Sequence, residues 1–140
     1  MKKLLFLLCL VVLSGCAISG SSIKSVEVTT LAKSSFSWDG QKLPAYPAGE
    51  PEITVLKINI PPGTKLALHK HNVINAGVVL AGELTVITDK NETLNLKAGD
   101  SLVEVVNKWH YGKNETNKPV ELIVFYAGAV GLPITSAAEK

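Results

Sequence analysis

The apolar residues fall in short runs whose period is two rather than three to four. Beyond the first sixteen residues no window sustains the 3.6-residue period of an amphipathic helix. β-Branched and aliphatic runs recur instead at residues 24–31, 52–60, 65–71, 76–80, 83–88, 93–96, 101–106 and 120–126, separated by Gly, Asn, Asp or Pro. Many short strands at such intervals predict an all-β sandwich or barrel. Residues 34–38 alternate polar with aromatic side chains and lead into Asp39-Gly40, a turn signal. Pro44, Pro47 and Gly49 mark an irregular connection, and Pro61-Pro62-Gly63 ends a strand. Residues 131–140 read as a loose C-terminal tail.

One apolar run is of a different kind. Met1-Lys2-Lys3 precedes an almost unbroken apolar stretch from Leu4 to Leu13, followed by Ser14-Gly15-Cys16. A basic start, about ten apolar residues and a small-residue cleavage site predict an export signal over residues 1–15. The run is too short to span a bilayer comfortably. The tetrad Leu13-Ser14-Gly15-Cys16 resembles the bacterial lipobox. That implies Cys16 becomes the lipidated first residue of the mature chain. Ala17 after the cysteine implies, by the same pattern, retention at the outer membrane on the periplasmic side. Residues 16–22, rich in Ser and Gly, are expected to form a flexible tether, with a barrel over 23–130. Multiple acyl chains would anchor this domain without a transmembrane helix.

The leader also changes the charge balance. The chain carries 14 Lys+Arg against 12 Asp+Glu, and none of the 14 is Arg. Two of those lysines leave with the leader, so the mature domain is balanced. A nucleic-acid partner would need a clustered basic face, and bidentate anion clamps would need arginine. With Cys9 in the leader and Cys16 modified, no intrachain disulfide is expected.

The chemistry gathers around residues 63–82. His69 and His71 lie two apart in a strand-like segment, hence on one face and about 6.6 Å apart along it. His110 is the third of the chain's 3 histidines. In a closed barrel the three can meet on one ion. The spacing of Gly63, His69, His71, Asn75 and Gly82, then of Gly99, His110 and Asn114, resembles the two motifs of the cupins, across about residues 50–130. The resemblance implies a jelly-roll β-barrel holding a divalent transition metal (Fe, Mn, Zn, Ni or Cu) on His69, His71 and His110. Three positions depart from the motifs. Asn75 stands where the family has a Glu ligand, and Val105 and Asn107 replace a proline and a glycine. Asn tolerates left-handed backbone. Asn75 can bind weakly through its carbonyl, orient a metal-bound water, or stand behind the ligands. Gly63, Gly82 and Gly99 read as turn glycines, and Asn114 as a residue fixing a turn.

Glu104 is a lone carboxylate in the apolar run 102–106. It is the candidate catalytic group, as a general base or a partner for a histidine ring, set against an outward charge on an alternating strand. Trp109 is expected to point away from the metal into core packing. Phe125 and Tyr126 have opposite parity, so one of them faces the interior. Two functions stay open. One is a metal-dependent enzyme acting on a small molecule in the cell envelope, for which the resemblance to three-histidine cupins implies a dioxygenase. The other is a non-catalytic lipoprotein that binds a small molecule or a metal. A homodimer through an edge strand or the N-terminal segment is a further expectation.

Overall fold

The computed structural model describes residues 25–138. The expected leader, Cys16 and the expected tether lie outside them. Nine strands follow in order: β1 (Pro51–Ile60), β2 (His69–His71), β3 (Ile74–Ala81), β4 (Glu83–Thr88), β5 (Thr93–Lys97), β6 (Ser101–Val103), β7 (His110–Lys113), β8 (Val120–Ala129) and β9 (Thr135–Ala137). There is no helix among the described residues. One sheet runs β1-β8-β3-β6 and the other β5-β4-β7-β2-β9, with every pairing antiparallel. This is the jelly roll that the strand spacing and the motifs led us to expect.

Period-two patterning closes the two sheets on one core. In β8, Val120, Leu122, Val124 and Tyr126 point inward, while Ile123 and Phe125 are exposed. Tyr126 is therefore the aromatic that faces the interior. Leu84 and Val86 of β4, Val79 of β3 and Leu102 of β6 meet them. Each such aliphatic side chain, once fully buried, contributes about 1.5–3 kcal/mol.

The structure differs from the sequence reading at several places. Residues 25–33 form no strand, and Val26 and Val28 are 91% and 85% exposed. β-Branched residues favour extended backbone, but a strand also needs an edge to pair with. The strand expected over 65–71 contracts to β2, with Lys65 making only an isolated bridge to Lys113. The strand expected over 101–106 ends at Val103. Residues 131–140 are not a loose tail throughout, because β9 pairs with β2, Thr135 opposite His71 and Ala137 opposite His69.

The turn glycines hold left-handed backbone, with φ of 67° at Gly63, 79° at Gly82 and 92° at Gly99, and Asn107 has φ 57°. Gly82 has a second constraint. A Cβ there would lie 2.5 Å from the Pro119 carbonyl oxygen, whereas one on Gly63 would meet nothing within 4 Å. Gly63→Ala should cost about 1–2 kcal/mol from backbone conformation alone. Gly82→Ala should cost about 1–3 kcal/mol more from the clash. Urea unfolding of the two variants checks this, and equal losses would show that the Pro119 approach is immaterial.

Candidate metal centre

β2 and β7 bring the histidines together. His69 is the direct cross-strand partner of His110, and His71 shares the inward face of β2. The ring centroids are 4.5 Å apart for His69–His110, 4.9 Å for His71–His110 and 5.0 Å for His69–His71. One ring nitrogen from each lies within 4.8 Å of the other two.

The other nitrogens decide which atoms face inward. His69 Nδ1 lies 2.8 Å from the Ala67 carbonyl and His110 Nδ1 2.9 Å from the Lys108 carbonyl. A carbonyl only accepts, so each Nδ1 carries the proton and each Nε2 keeps a free lone pair. His71 Nδ1 is 3.0 Å from the Thr135 hydroxyl on β9, which can accept in the same way. Burial lowers the pKa of all three rings. For His71 it falls to about 3, with His110 and His69 adding repulsion. The set is neutral near pH 7, the state in which imidazole binds metal.

Glu104 is turned inward and only 7% exposed. The reading that set it facing solvent is thereby corrected. Glu104 shares the parity of the buried Leu102, so although β6 ends at Val103 its side chain enters the barrel. The Trp38 indole N–H donates to Oε1 at 2.7 Å and the Val105 amide at 2.8 Å. Oε2 stands 3.9 Å from His110 Nε2. Burial raises the Glu104 pKa, and those two hydrogen bonds oppose the rise. Asn75 is buried on the inward face of β3, with only a long 3.5 Å contact from its amide to the Val73 carbonyl. The Tyr126 ring lies 5.4 Å from that of His71. Burial, reinforced by the Glu104 charge, pushes its phenol up to about 12.

These polar groups line a half-open cavity of about 80 Å³ together with aliphatic side chains, among them Leu66, Leu84 and Val124. Trp109 faces away from it, as expected, but lies on the outer surface beneath the Lys70 ammonium instead of in the core. Asn114 stands outside the site. Its amide donates to the carbonyls of Ile60, Pro61 and Lys118, and its Oδ1 accepts from Thr116, tying two turns together. The sequence reading missed Trp38 and Thr135. Trp38 carried a weak signal, as one of only two tryptophans beside a turn dipeptide, and Thr135 carried none.

Donor type, protonation and burial all fit a divalent ion. Comparison with known proteins agrees with this architecture. Residues 56–126 match the family described as "Cupin domain". No curated protein sequence matches the chain. Among solved structures, it is similar to an uncharacterized conserved protein with a double-stranded beta-helix domain from Klebsiella pneumoniae subsp. pneumoniae. The TM-score is 0.54 at 24% identity, over 67% of this chain and 90% of that one. It is also similar to the DMSP lyase DddQ of Ruegeria pomeroyi, with TM-score 0.54 and 17% identity, over 61% of this chain and 43% of that one. Oxalate decarboxylase of Lactobacillus farciminis gives TM-score 0.52 and 21% identity, over 61% of this chain and 26% of that one. The chain thus matches less than half the length of either enzyme.

Trp38 lies outside the matched region, on a strap formed by residues 34–42. The Trp38 amide donates to the Val103 carbonyl at 2.9 Å. Asp39 accepts from Ser37 and from the Gln41 amide and pairs with Lys108 at 2.7 Å, and Lys108 also pairs with Glu92. Burial alone would raise the Asp39 pKa, but hydrogen bonds from Lys108 and Ser37 outweigh it and hold the carboxyl below its ordinary 3.8. A depressed carboxyl stabilises the fold above its unfolded pKa, and that contribution disappears as pH falls through the folded pKa. Asp39→Asn should cost about 1.5–3 kcal/mol at pH 7. Urea midpoints of variant and wild type should start to converge as pH falls below about 4 and meet only below the depressed folded pKa. A gap that persists in acid would show that the difference arises from packing.

Proposed function

The chain belongs to the cupin domain family, and on that premise we propose that it is a metal-dependent enzyme acting on a small molecule. We place it on the periplasmic side of the cell envelope, held at the outer membrane by lipid on Cys16. The observation that carries the enzymatic part is the convergence of three imidazoles. Each has its outer nitrogen engaged by an acceptor and its inner lone pair free. His69, His71 and His110 would hold the ion. Bound there, a divalent ion supplies Lewis acidity toward a small molecule or dioxygen.

The chain's own residues set the rest. The hydrogen bonds at Nδ1 orient the rings, and burial keeps them neutral. Asn75 and Tyr126 present an amide and a protonated phenol to the cavity, beside its aliphatic walls. A cavity of about 80 Å³ takes the volume of about three water molecules. It thus suits a ligand of a few non-hydrogen atoms. The likeness to a DMSP lyase and an oxalate decarboxylase supports the fold and leaves the substrate open. Oxygenation, suggested by resemblance to three-histidine cupins, is the first reaction class to assay. A non-catalytic binder is the second reading, favoured by the small size of the same cavity.

Elemental mass spectrometry of the untagged protein tests the centre. We expect close to one divalent transition metal per chain, lost when His69, His71 and His110 are together changed to Ala. No metal in the wild type, even after reconstitution with Fe, Mn, Zn, Ni and Cu, would defeat the metalloenzyme reading. For the anchor, Cys16→Ser should move the protein from the membrane fraction to the soluble one. An unchanged distribution would defeat lipidation.

A further inference from the structure

We propose that Glu104 is the anionic ligand of this centre, supplied from the residue after β6 and facing the neutral Asn75 across the strand pair. The inference rests on the reading that the three histidines bind a divalent ion. β3 and β6 pair with Ala76 opposite Val103, and the Glu104 amide then donates to the Asn75 carbonyl at 3.0 Å. Residues 75 and 104 are therefore inward-facing neighbours on adjacent strand positions, whose Cβ atoms in such pairs lie about 5 Å apart. A carboxylate on either can address the same point inside the barrel.

The hydrogen bonds divide the carboxylate into two unlike oxygens. Oε1 is taken by the Trp38 indole and the Val105 amide. Oε2 has no donor and faces His110 Nε2 at 3.9 Å, a nitrogen whose proton is on the opposite side of the ring. Two lone-pair atoms thus stand 3.9 Å apart in a largely buried site, an arrangement that a cation between them stabilises. That separation is shorter than the 4.8 Å limit within which the three histidine donors lie. Glu104 reaches the edge of the triad nearest His110 without joining the mutual cluster of all three, so an ion that draws the imidazoles inward draws this oxygen with them. A dication on three neutral imidazoles also leaves its full charge in an apolar cavity, and one carboxylate halves it. The strap fixes the geometry through Trp38, which is a positioning residue.

Competitive titration of Zn(II) and Co(II) into the purified full-length protein tests the assignment. Glu104→Gln keeps an acceptor for Trp38 and should weaken binding at least about tenfold, with a changed Co(II) absorption spectrum. Asn75→Glu combined with Glu104→Gln should recover most of the affinity, because the carboxylate returns from the facing strand. A purely structural Glu104 would not be rescued in that way. Difference infrared spectroscopy of wild type on Zn(II) addition needs no variant to fold, and should show one shifted carboxylate stretch. Glu104→Gln binding as tightly as wild type with an unchanged spectrum, or no carboxylate shift in wild type, would overturn the proposal and leave the histidine centre standing. A wild type that binds neither ion would remove the centre and this ligand together.

Discussion

The structure depends on where three imidazole protons reside. Two backbone carbonyls and one threonine hydroxyl engage the outer nitrogens of His69, His110 and His71. With those protons directed outward, the inner lone pairs have only each other and the cavity to face. Burial removes the alternative of protonation, since a charged ring there would be desolvated beside two neighbours. A site of neutral, preoriented donors follows from backbone geometry before any ion is considered.

The polar groups of the interior gather around this triad from both sheets, His69, His71 and His110 from one and Asn75, Tyr126 and Glu104 from the other, and the rest of the interior is apolar. Inward positions of β8 and β4 carry Val, Leu and Tyr and form the core. Inward positions of β7 carry His110 and Gly112, and those of β2 carry only histidine. Gly112 is small because Leu66 and Leu84 already press there, and a Cβ would lie 3.3 Å from each. Burying histidine and glutamate costs hydration, and the apolar core contributed by both sheets compensates. Among the described residues no fully buried side-chain polar atom lacks a partner, so the unpaired lone pairs are those that open onto the cavity.

Legibility in the sequence tracked this division. Seven of the nine strands were visible, as apolar runs that overlap them, and those whose inward faces are core, such as β4 and β8, alternate cleanly. β7 was not, because its inward side chains are an imidazole and a hydrogen. β9 was not, because Thr135, Ser136 and Ala137 are small or polar and are strand only by pairing with β2. The histidine triad was legible from spacing, and the left-handed Asn107 from its replacement of glycine. The orientation of Glu104 was not, since residues 101–106 carry apolar side chains at both parities and nothing local shows that the face of Leu102 is the inward one. Trp38, 66 residues earlier than its partner, is a tertiary contact with no local signature.

Two of the side chains that aim the site come from outside the segment that matches the family. Thr135 on β9 orients His71, and Trp38 on the strap holds Glu104, whereas the matched residues 56–126 contain the histidines themselves. Flanking segments therefore act on the centre through single hydrogen bonds to its donors. A change at Thr135 or Trp38 can retune donor orientation or carboxylate position without altering a strand of the barrel. Change in the core lacks that freedom, because Leu84 and Val124 wall the cavity while packing the two sheets together. The division separates what holds the barrel from what sets its chemistry, and it is why similarity across the barrel carries the fold without carrying the substrate.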